Sequence, residues 1–177
     1  NRELKGIDPF LTNNLGSGQH AEETISGSNL GVSGDIRVES FIIPQARLRN
    51  KKENDIVNMG EGSVKNQGFY IYRNDRLIIY GTWFDITKTN RYTDLLRVKV
   101  DIPNSMDDFW KISIDKKDAK LPHMLKAELR KIVRKSIEAA KKVYTLGPVD
   151  LPKGGITNIE HIWGETQHHG KESHKVN

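Results

Sequence analysis

Three lysines stand close together in the segment IDKKDAK, residues 114–120, and their spacing suits the binding of an anion. They are Lys116, Lys117 and Lys120, and a helical pattern begins directly after them. The backbone N–H groups and the dipole at a helix N-terminus also favour negative charge. We therefore expect this segment to contact a phosphate, with a solvated cluster of surface lysines as the alternative.

The helix that follows carries a second set of basic residues. Its apolar residues recur at spacings of three and four, which is typical of a helix that covers a sheet: Leu121, Leu125, Leu129, Ile132, Val133, Ile137, Ala140 and Val143. The interleaved basic residues are Lys126, Arg130, Lys131, Arg134 and Lys135. In a chain of net charge +5, such clustering predicts either a nucleic-acid surface or a plain solvated face.

Alternating segments upstream of the helix predict the sheet that must position these groups. They are residues 35–43, 68–73, 76–83, 95–102 and 109–115. The second and third are joined by Asn74-Asp75, which favours a tight hairpin. Within residues 95–102, Arg97 and Lys99 are expected to face water. The predicted fold class is α+β, with a mainly antiparallel sheet of about four to five strands covered on one face by a long basic helix.

The remaining segments divide the chain into three parts. Residues 1–34 are rich in Gly, Asn and Ser and are predicted to be an irregular inter-domain segment. Residues 35–147 form the α+β domain, in which 45–67 is a long connection, and 148–177 is a C-terminal extension that begins a further, truncated element. Because the chain begins at Asn1 without a methionine, we expect it to be a fragment of a longer protein.

Several kinds of chemistry are disfavoured by composition. The chain has no cysteine, which excludes disulfides and thiolate metal sites, and it has no apolar run near the ~20 residues of a membrane span. No metal site is expected at His168, His169 and His174, because suitably spaced carboxylates are missing. Asp107-Asp108 suits an exposed turn rather than a catalytic pair, and no Walker loop, nucleophile elbow or HExxH motif occurs. The fragment alone is not expected to be catalytic, and a cytoplasmic location is expected.

Aromatic residues are concentrated in the predicted hairpin. They are Phe69, Tyr70, Tyr72, Tyr80, Trp83 and Phe84. Such a set could stack nucleic-acid bases. Alternate residues of a strand point to opposite faces, however, so about half of them are expected to belong to the core.

A resemblance is carried by QGFYIYRNDRLIIYGTWF, by RVKVDIPNSMDDFWKISIDKKDAKLP and by the basic helix that ends in VYT. Weaker matches are IDPFLTNN near the start and FIIP at residues 41–44. Together these segments, within residues 7–145, resemble the second domain of bacterial GHKL ATPases related to the MORC proteins. GHKL is the group that contains DNA gyrase B, the ninety-kilodalton heat-shock chaperone and MutL.

The resemblance implies a transducer domain with the ribosomal protein S-five-like α+β fold. It implies that an ATP-binding domain precedes this chain, holds ATP and magnesium, and can form a homodimer, and that the parent protein is an ATPase with a possible role on DNA. The catalytic contact with the γ-phosphate falls on Lys116, with Lys117 as the near alternative. Relatives usually have a basic residue in place of Asp115 and a serine or similar residue in place of Lys117, so the choice between the two lysines stays open. The fragment alone is expected to bind ATP weakly or not at all.

Overall fold

The computed structural model describes residues 7–58, 62–106 and 121–145. These ranges form an α+β fold with one five-stranded sheet. The strands are β1 (Gly18–Ile25), β2 (Ile36–Ile42), β3 (Gly68–Arg73), β4 (Arg76–Thr82) and β5 (Leu96–Asp101), and the helices are α1 (Lys51–Asn58) and α2 (His123–Thr145).

The sheet is mixed, with the strand order β1-β2-β5-β3-β4. The pairs β1–β2, β2–β5 and β3–β4 are antiparallel, whereas β3 and β5 run parallel. The parallel pair arises because β4 turns back to the outside of β3, and the chain then returns to the other side of β3. The predicted α+β class is confirmed, and its mainly antiparallel sheet contains one parallel pairing.

The predicted hairpin is confirmed. β3 and β4 pair with Arg73 opposite Arg76, and the two linking residues have positive φ, 48° at Asn74 and 59° at Asp75. Positive φ at both central residues is the geometry of a type I′ turn, whose twist matches that of paired strands. Asn and Asp tolerate this geometry better than most residues, which is why the sequence signal was reliable.

The main core lies between one face of the sheet and α2. From the strands it contains Val38, Val98 and Ile71, and from the helix Leu125 and Leu129, all with almost no exposed surface. The helical apolar stripe predicted from the sequence is buried at five of its eight positions: Leu125, Leu129, Ile132, Val133 and Ala140. Val143, near the end of the helix, is 38% exposed.

The other face of the sheet carries a smaller aromatic cluster. Phe10 from the N-terminal segment packs on Phe41, with ring centroids 4.7 Å apart, and on Tyr70, at 5.3 Å. On this face one prediction is wrong: Arg97, expected to face water, is only 1% exposed. The alternation of β5 was correct, but the second face of the sheet is not open to solvent at that position.

Two segments predicted to be irregular contain regular structure. Residues 1–34 include β1, which pairs with β2 along its length. An edge strand is held largely by backbone hydrogen bonds and needs little apolar alternation, so its polar sequence concealed it. Residues 45–67 include α1, which begins with a capping box: Glu53 N–H donates to Asn50 Oδ1 at 2.9 Å, and Asn50 N–H donates to Glu53 Oε2 at 2.8 Å. The predicted strand at 109–115 and the extension at 148–177 lie outside the described residues.

Candidate functional site

The lysines predicted to contact phosphate, Lys116, Lys117 and Lys120, lie outside the described residues, as do Asp107, Asp108 and the three C-terminal histidines. The nearest described residues are Met106 before the lysine segment and Leu121 after it. On one side, Met106 is fully buried and Ser105 Oγ donates to the carbonyl of Ser33. On the other side, Leu121 packs against the core just before α2 begins. The lysine segment is thus flanked on both sides by residues that contact the folded core.

The direction of α2 shows where those flanks lie. Glu128 and Lys131, early in the helix, line a groove with Ile25 at the end of β1. Tyr144, near the helix end, packs against Tyr92, with ring centroids 5.6 Å apart, just before β5 begins. Since β1 and β5 point the same way, α2 starts at the end of the sheet where β5 finishes. Both flanks of the lysine segment therefore lie at that end of the sheet.

The basic residues of α2 divide into two rows on its surface. Lys126, Arg130 and Arg134 are spaced four residues apart and so follow one line along the helix. Arg130 and Arg134 are exposed, and Lys126 is partly exposed. Among the described residues, no carboxylate oxygen lies within 4 Å of any of the three. This row is a line of positive charge that is available to an anionic partner.

The second basic row is paired with carboxylates. Lys131 Nζ lies 2.7 Å from Glu128 Oε1, and Lys135 Nζ lies 3.1 Å from Glu23 Oε1 on β1. The four side chains line a groove of about 360 Å³ between α2 and the end of β1. Exposed pairs of this kind contribute little to stability, but they lower the local positive charge. Two of the five residues predicted to bind nucleic acid are therefore partly neutralised.

The outer face of the sheet carries its own charged network. Lys99 Nζ lies 3.0 Å from Glu39 Oε2 and 3.1 Å from Asp101 Oδ2, and 5.7 Å from the ring centroid of Tyr72. Burial alone would lower the pKa of Lys99, but the hydrogen bonds and charges of Glu39 and Asp101 outweigh it and raise the pKa above its ordinary value. Lys99 is thus held by its neighbours and is not a free phosphate contact.

The aromatic hairpin does not form an open stacking surface. Phe69 and Trp83 belong to the main core, where Trp83 Nε1 donates to Gln67 Oε1 at 3.1 Å. Tyr70 is buried beneath Phe10, and its hydroxyl donates to the carbonyl of Asn66 at 2.6 Å. Tyr80 is the aromatic of this set that is clearly exposed. Most of the aromatic rings of the hairpin are therefore buried and cannot stack on nucleic-acid bases.

A buried charged cluster lies at the opposite end of the sheet, where β5 begins. Arg97 Nη1 donates to the carbonyls of Asp94, at 2.8 Å, and Leu96, at 3.0 Å, whereas its Nη2 has no partner in hydrogen-bonding geometry. Burial lowers the pKa of Arg97, while the nearby Tyr70 and Asp94 oppose this shift. Burial likewise lowers the pKa of Arg49, and the charge of Asp94 again opposes it.

Sequence reasoning missed this cluster. Its members come from three separate places: the residue before α1's N-cap, the short 3-10 helix Thr93–Leu95, and β5. No spacing rule links Arg49 to residues more than 40 positions later, and Arg97 was assigned to the wet face of its strand. The strand order, which places β5 next to β2, was the missing information.

Within the described ranges, no group of three or more histidine and carboxylate side chains is arranged to hold a metal ion. None of the helices there is long and apolar enough to cross a membrane. Comparison of the chain with protein-family models, curated proteins and solved structures finds no match.

Proposed function

We propose that this chain is the transducer domain of a GHKL-type ATPase, in which Lys116 contacts the γ-phosphate of ATP bound with magnesium on a preceding domain. One observation carries the proposal: both flanks of the lysine segment are anchored to the core at the same end of the sheet, through Met106 and Leu121. The proposal includes the ribosomal protein S-five-like fold, a cytoplasmic location and homodimerisation through the ATP-binding domain. The mixed sheet covered by α2 is compatible with such a fold.

The physical logic is that a lysine tethered to a rigid core can meet a triphosphate only when two domains dock. The ion pair then forms in one relative orientation of the domains and is absent in others. Nucleotide state is thereby converted into domain orientation, because a ligand shifts a conformational equilibrium through its differential contacts with the two states. In this scheme the chain contributes a phosphate contact and carries no nucleotide pocket of its own.

The test is ATP hydrolysis by the intact protein that carries this chain. Lys116→Ala is expected to abolish hydrolysis while the preceding domain still binds ATP, and Lys117→Ala identifies whether the neighbouring lysine shares the role. Lys88→Ala, an exposed lysine on the loop before β5, is the control and should hydrolyse ATP normally. Normal hydrolysis by the Lys116→Ala/Lys117→Ala double variant would refute the proposal.

A separate measurement uses the 177-residue chain alone. Calorimetry with magnesium and ATP is expected to show weak binding or none, because the chain supplies only one side of the site. Tight binding by this chain would contradict the two-domain scheme. It would also require a nucleotide pocket within these residues.

A second candidate function is binding of nucleic acid by α2. The specific observation that favours it is the row of Lys126, Arg130 and Arg134, which has no carboxylate nearby among the described residues. Three phosphate contacts predict that log K falls with log salt concentration with a slope of about −2.7 for duplex DNA. Under this function, Lys116→Ala leaves ATP hydrolysis unchanged.

Fluorescence anisotropy with a labelled duplex tests this second function. The triple variant Lys126→Ala/Arg130→Ala/Arg134→Ala should lose most of the salt-dependent affinity, whereas Lys131→Ala/Lys135→Ala should lose less because those lysines are already paired. Arg47→Ala/Lys51→Ala/Lys52→Ala is a control with the same change in net charge, placed at and just before α1. Equal losses in the two triple variants would indicate a non-specific effect of net charge and exclude α2 as the binding surface.

A further inference from the structure

Unsatisfied buried polar atoms in the described residues are concentrated in one place. Five such side-chain atoms occur, and four of them belong to Arg49, Asp94 and Arg97: Arg49 Nε and Nη1, Asp94 Oδ1 and Arg97 Nη2. Folded proteins leave few buried polar atoms without a partner, and each of them calls for an explanation such as a bound water or ion. Four such atoms in one cluster indicate a binding site for a small polar ligand.

The surrounding contacts fix the side chain of Arg97 and the backbone of Arg49, but they leave the four atoms without partners. Arg97 is held by the carbonyls of Asp94 and Leu96 through one nitrogen, which leaves the other nitrogen free. The backbone at Arg49 is tied to the first turn of α1, where Asn54 Nδ2 donates to its carbonyl at 3.4 Å. No carboxylate oxygen of Asp94 lies within 4 Å of either guanidinium in the described structure.

The nearest alternative acceptors do not satisfy these atoms. Glu53 Oε2 accepts from Asn14 Nδ2 at 2.9 Å and from the N–H of Asn50 at 2.8 Å. The hydroxyl of Tyr70 donates its proton to the carbonyl of Asn66 and its oxygen interacts with Arg97, yet Arg97 Nη2 is still without a partner. A second carboxylate, that of Glu53, also lies near Arg49, but its oxygens too are more than 4 Å from both guanidinium groups in the described structure. Guanidinium donors that are buried without a hydrogen-bonded partner are costly to leave unsatisfied.

The types of the unpaired atoms indicate which ligand would satisfy them. Three nitrogen donors and one oxygen acceptor need a group that accepts several hydrogen bonds, carries negative charge and can also donate one proton. A guanidinium fork matches the oxygens of a tetrahedral oxyanion well. Sulfate has no proton to offer Asp94 at neutral pH, whereas hydrogen phosphate has one. Access is open on the side of Arg49 and Asp94, which are both partly exposed.

We propose that Arg49 and Arg97 bind a hydrogen phosphate ion at the start of β5, with the P–OH group donating to Asp94 Oδ1. The site lies at the end of the sheet opposite Met106 and Leu121, the described residues that flank the lysine segment. It is also separate from the basic row of α2. The phosphate-site proposal is therefore independent of both proposed functions.

The test is calorimetry of the 177-residue chain with inorganic phosphate and with sulfate, at matched ionic strength and neutral pH. Phosphate is expected to bind at least tenfold more tightly than sulfate. Arg49→Ala should weaken phosphate binding at least tenfold, and Arg47→Ala, the exposed arginine two residues earlier, should leave it unchanged. Asp94→Asn should reduce the preference for phosphate over sulfate, because an amide no longer favours the protonated oxygen.

Two outcomes overturn the proposal. If the wild-type chain binds phosphate no more tightly than sulfate or chloride, the unsatisfied atoms are served by buried water. If Arg49→Ala binds phosphate as wild type does, the ion lies elsewhere. If Arg49→Ala does not give the circular dichroism spectrum of the wild type, Arg49→Lys is used in its place. Lysine keeps the positive charge but lacks the forked donors, so Arg49→Lys should also weaken phosphate binding.

Discussion

The hydroxyl groups of Ser136 on α2 and Ser40 on β2 are hydrogen-bonded to each other across the interface of helix and sheet, with 2.9 Å between their oxygens. Neither residue has any exposed surface, and Ser136 Oγ also lies 3.0 Å from the carbonyl of Ile132 one turn earlier. A polar pair therefore stands inside an apolar interface. It favours one position of α2 along β2, because sliding the helix would take this partner away from the buried hydroxyl of Ser40.

Replacing one serine of this pair is expected to cost more than its size suggests. Ser136→Ala should lower the free energy of unfolding by about 1–3 kcal/mol, since Ser40 is left buried with an unused hydroxyl. The double variant Ser40→Ala/Ser136→Ala should cost less than the sum of the single variants, as a double-mutant cycle in urea would show. Ser28→Ala, at an exposed position, should be nearly neutral. Strict additivity would mean that the two hydroxyls do not depend on each other.

The sequence predicted the helix of this interface but not its polar contact. The apolar stripe of α2 is a periodic signal, and burial of Leu125 and Leu129 follows from period alone. Ser136 interrupts that stripe, and nothing in its local sequence distinguishes a buried serine from an exposed one. Its partner, Ser40, lies 96 residues earlier. A contact of that separation depends on the strand order, which the sequence pattern does not contain.

The turn between β3 and β4 offers a stabilising change. Asp75 has a φ of 59°, a conformation that glycine adopts without steric cost. Asp75→Gly is expected to raise the free energy of unfolding by up to about 1 kcal/mol, because Asn-Gly is the preferred pair for this turn. Asp55→Gly, within α1 and equally exposed, is the matched control and should lower stability by a few tenths to about 1 kcal/mol. Thermal melts of both variants provide the comparison, and destabilisation by Asp75→Gly would contradict the turn geometry.

Gly68, at the start of β3, is required by a close backbone contact. Its φ is 110°, and a Cβ added there would lie 2.5 Å from the carbonyl oxygen of Thr82 on β4. Gly68→Ala is therefore expected to cost more than about 2 kcal/mol, through the clash as well as the strained backbone. Gly62 also has positive φ, 89°, but an added Cβ would meet nothing within 4 Å. Gly62→Ala should cost only about 1 kcal/mol in urea denaturation, and equal losses would show that the contact with Thr82 is unimportant.

The two candidate sites differ in how far they could be predicted from the sequence. The lysine segment was found from three lysines within five residues beside a helix pattern, and the resemblance then assigned a role to Lys116; both are local signals. The cluster of Arg49, Asp94 and Arg97 has no local signal, because the charge of each residue is ordinary for a loop or a half-exposed strand. It becomes visible only once the strand order is known and Arg97 is found buried near Tyr70 and Asp94.

Tyr70 is expected to make the stability of the fold fall at alkaline pH. Burial raises the pKa of its phenol above the ordinary value of about 10, although the charge of Arg97 and a hydrogen bond with it oppose the shift. Below pH 10 the phenol is neutral in both states and contributes fully. As the pH rises past 10 the unfolded chain loses this proton before the folded chain does, so the free energy of unfolding decreases.

Tyr70→Phe should be less stable than the wild type at pH 8, because the hydrogen bond to Asn66 is lost. Its free energy of unfolding should fall less steeply between about pH 9.5 and 11, because up to about one proton fewer is released on unfolding. Tyr72 and Tyr144 also have raised pKa values, again chiefly through burial, so part of the fall will persist. Urea denaturation across this range, with Tyr80→Phe as the exposed control, measures the difference; identical slopes for Tyr70→Phe and wild type would show that Tyr70 is not held neutral by its surroundings.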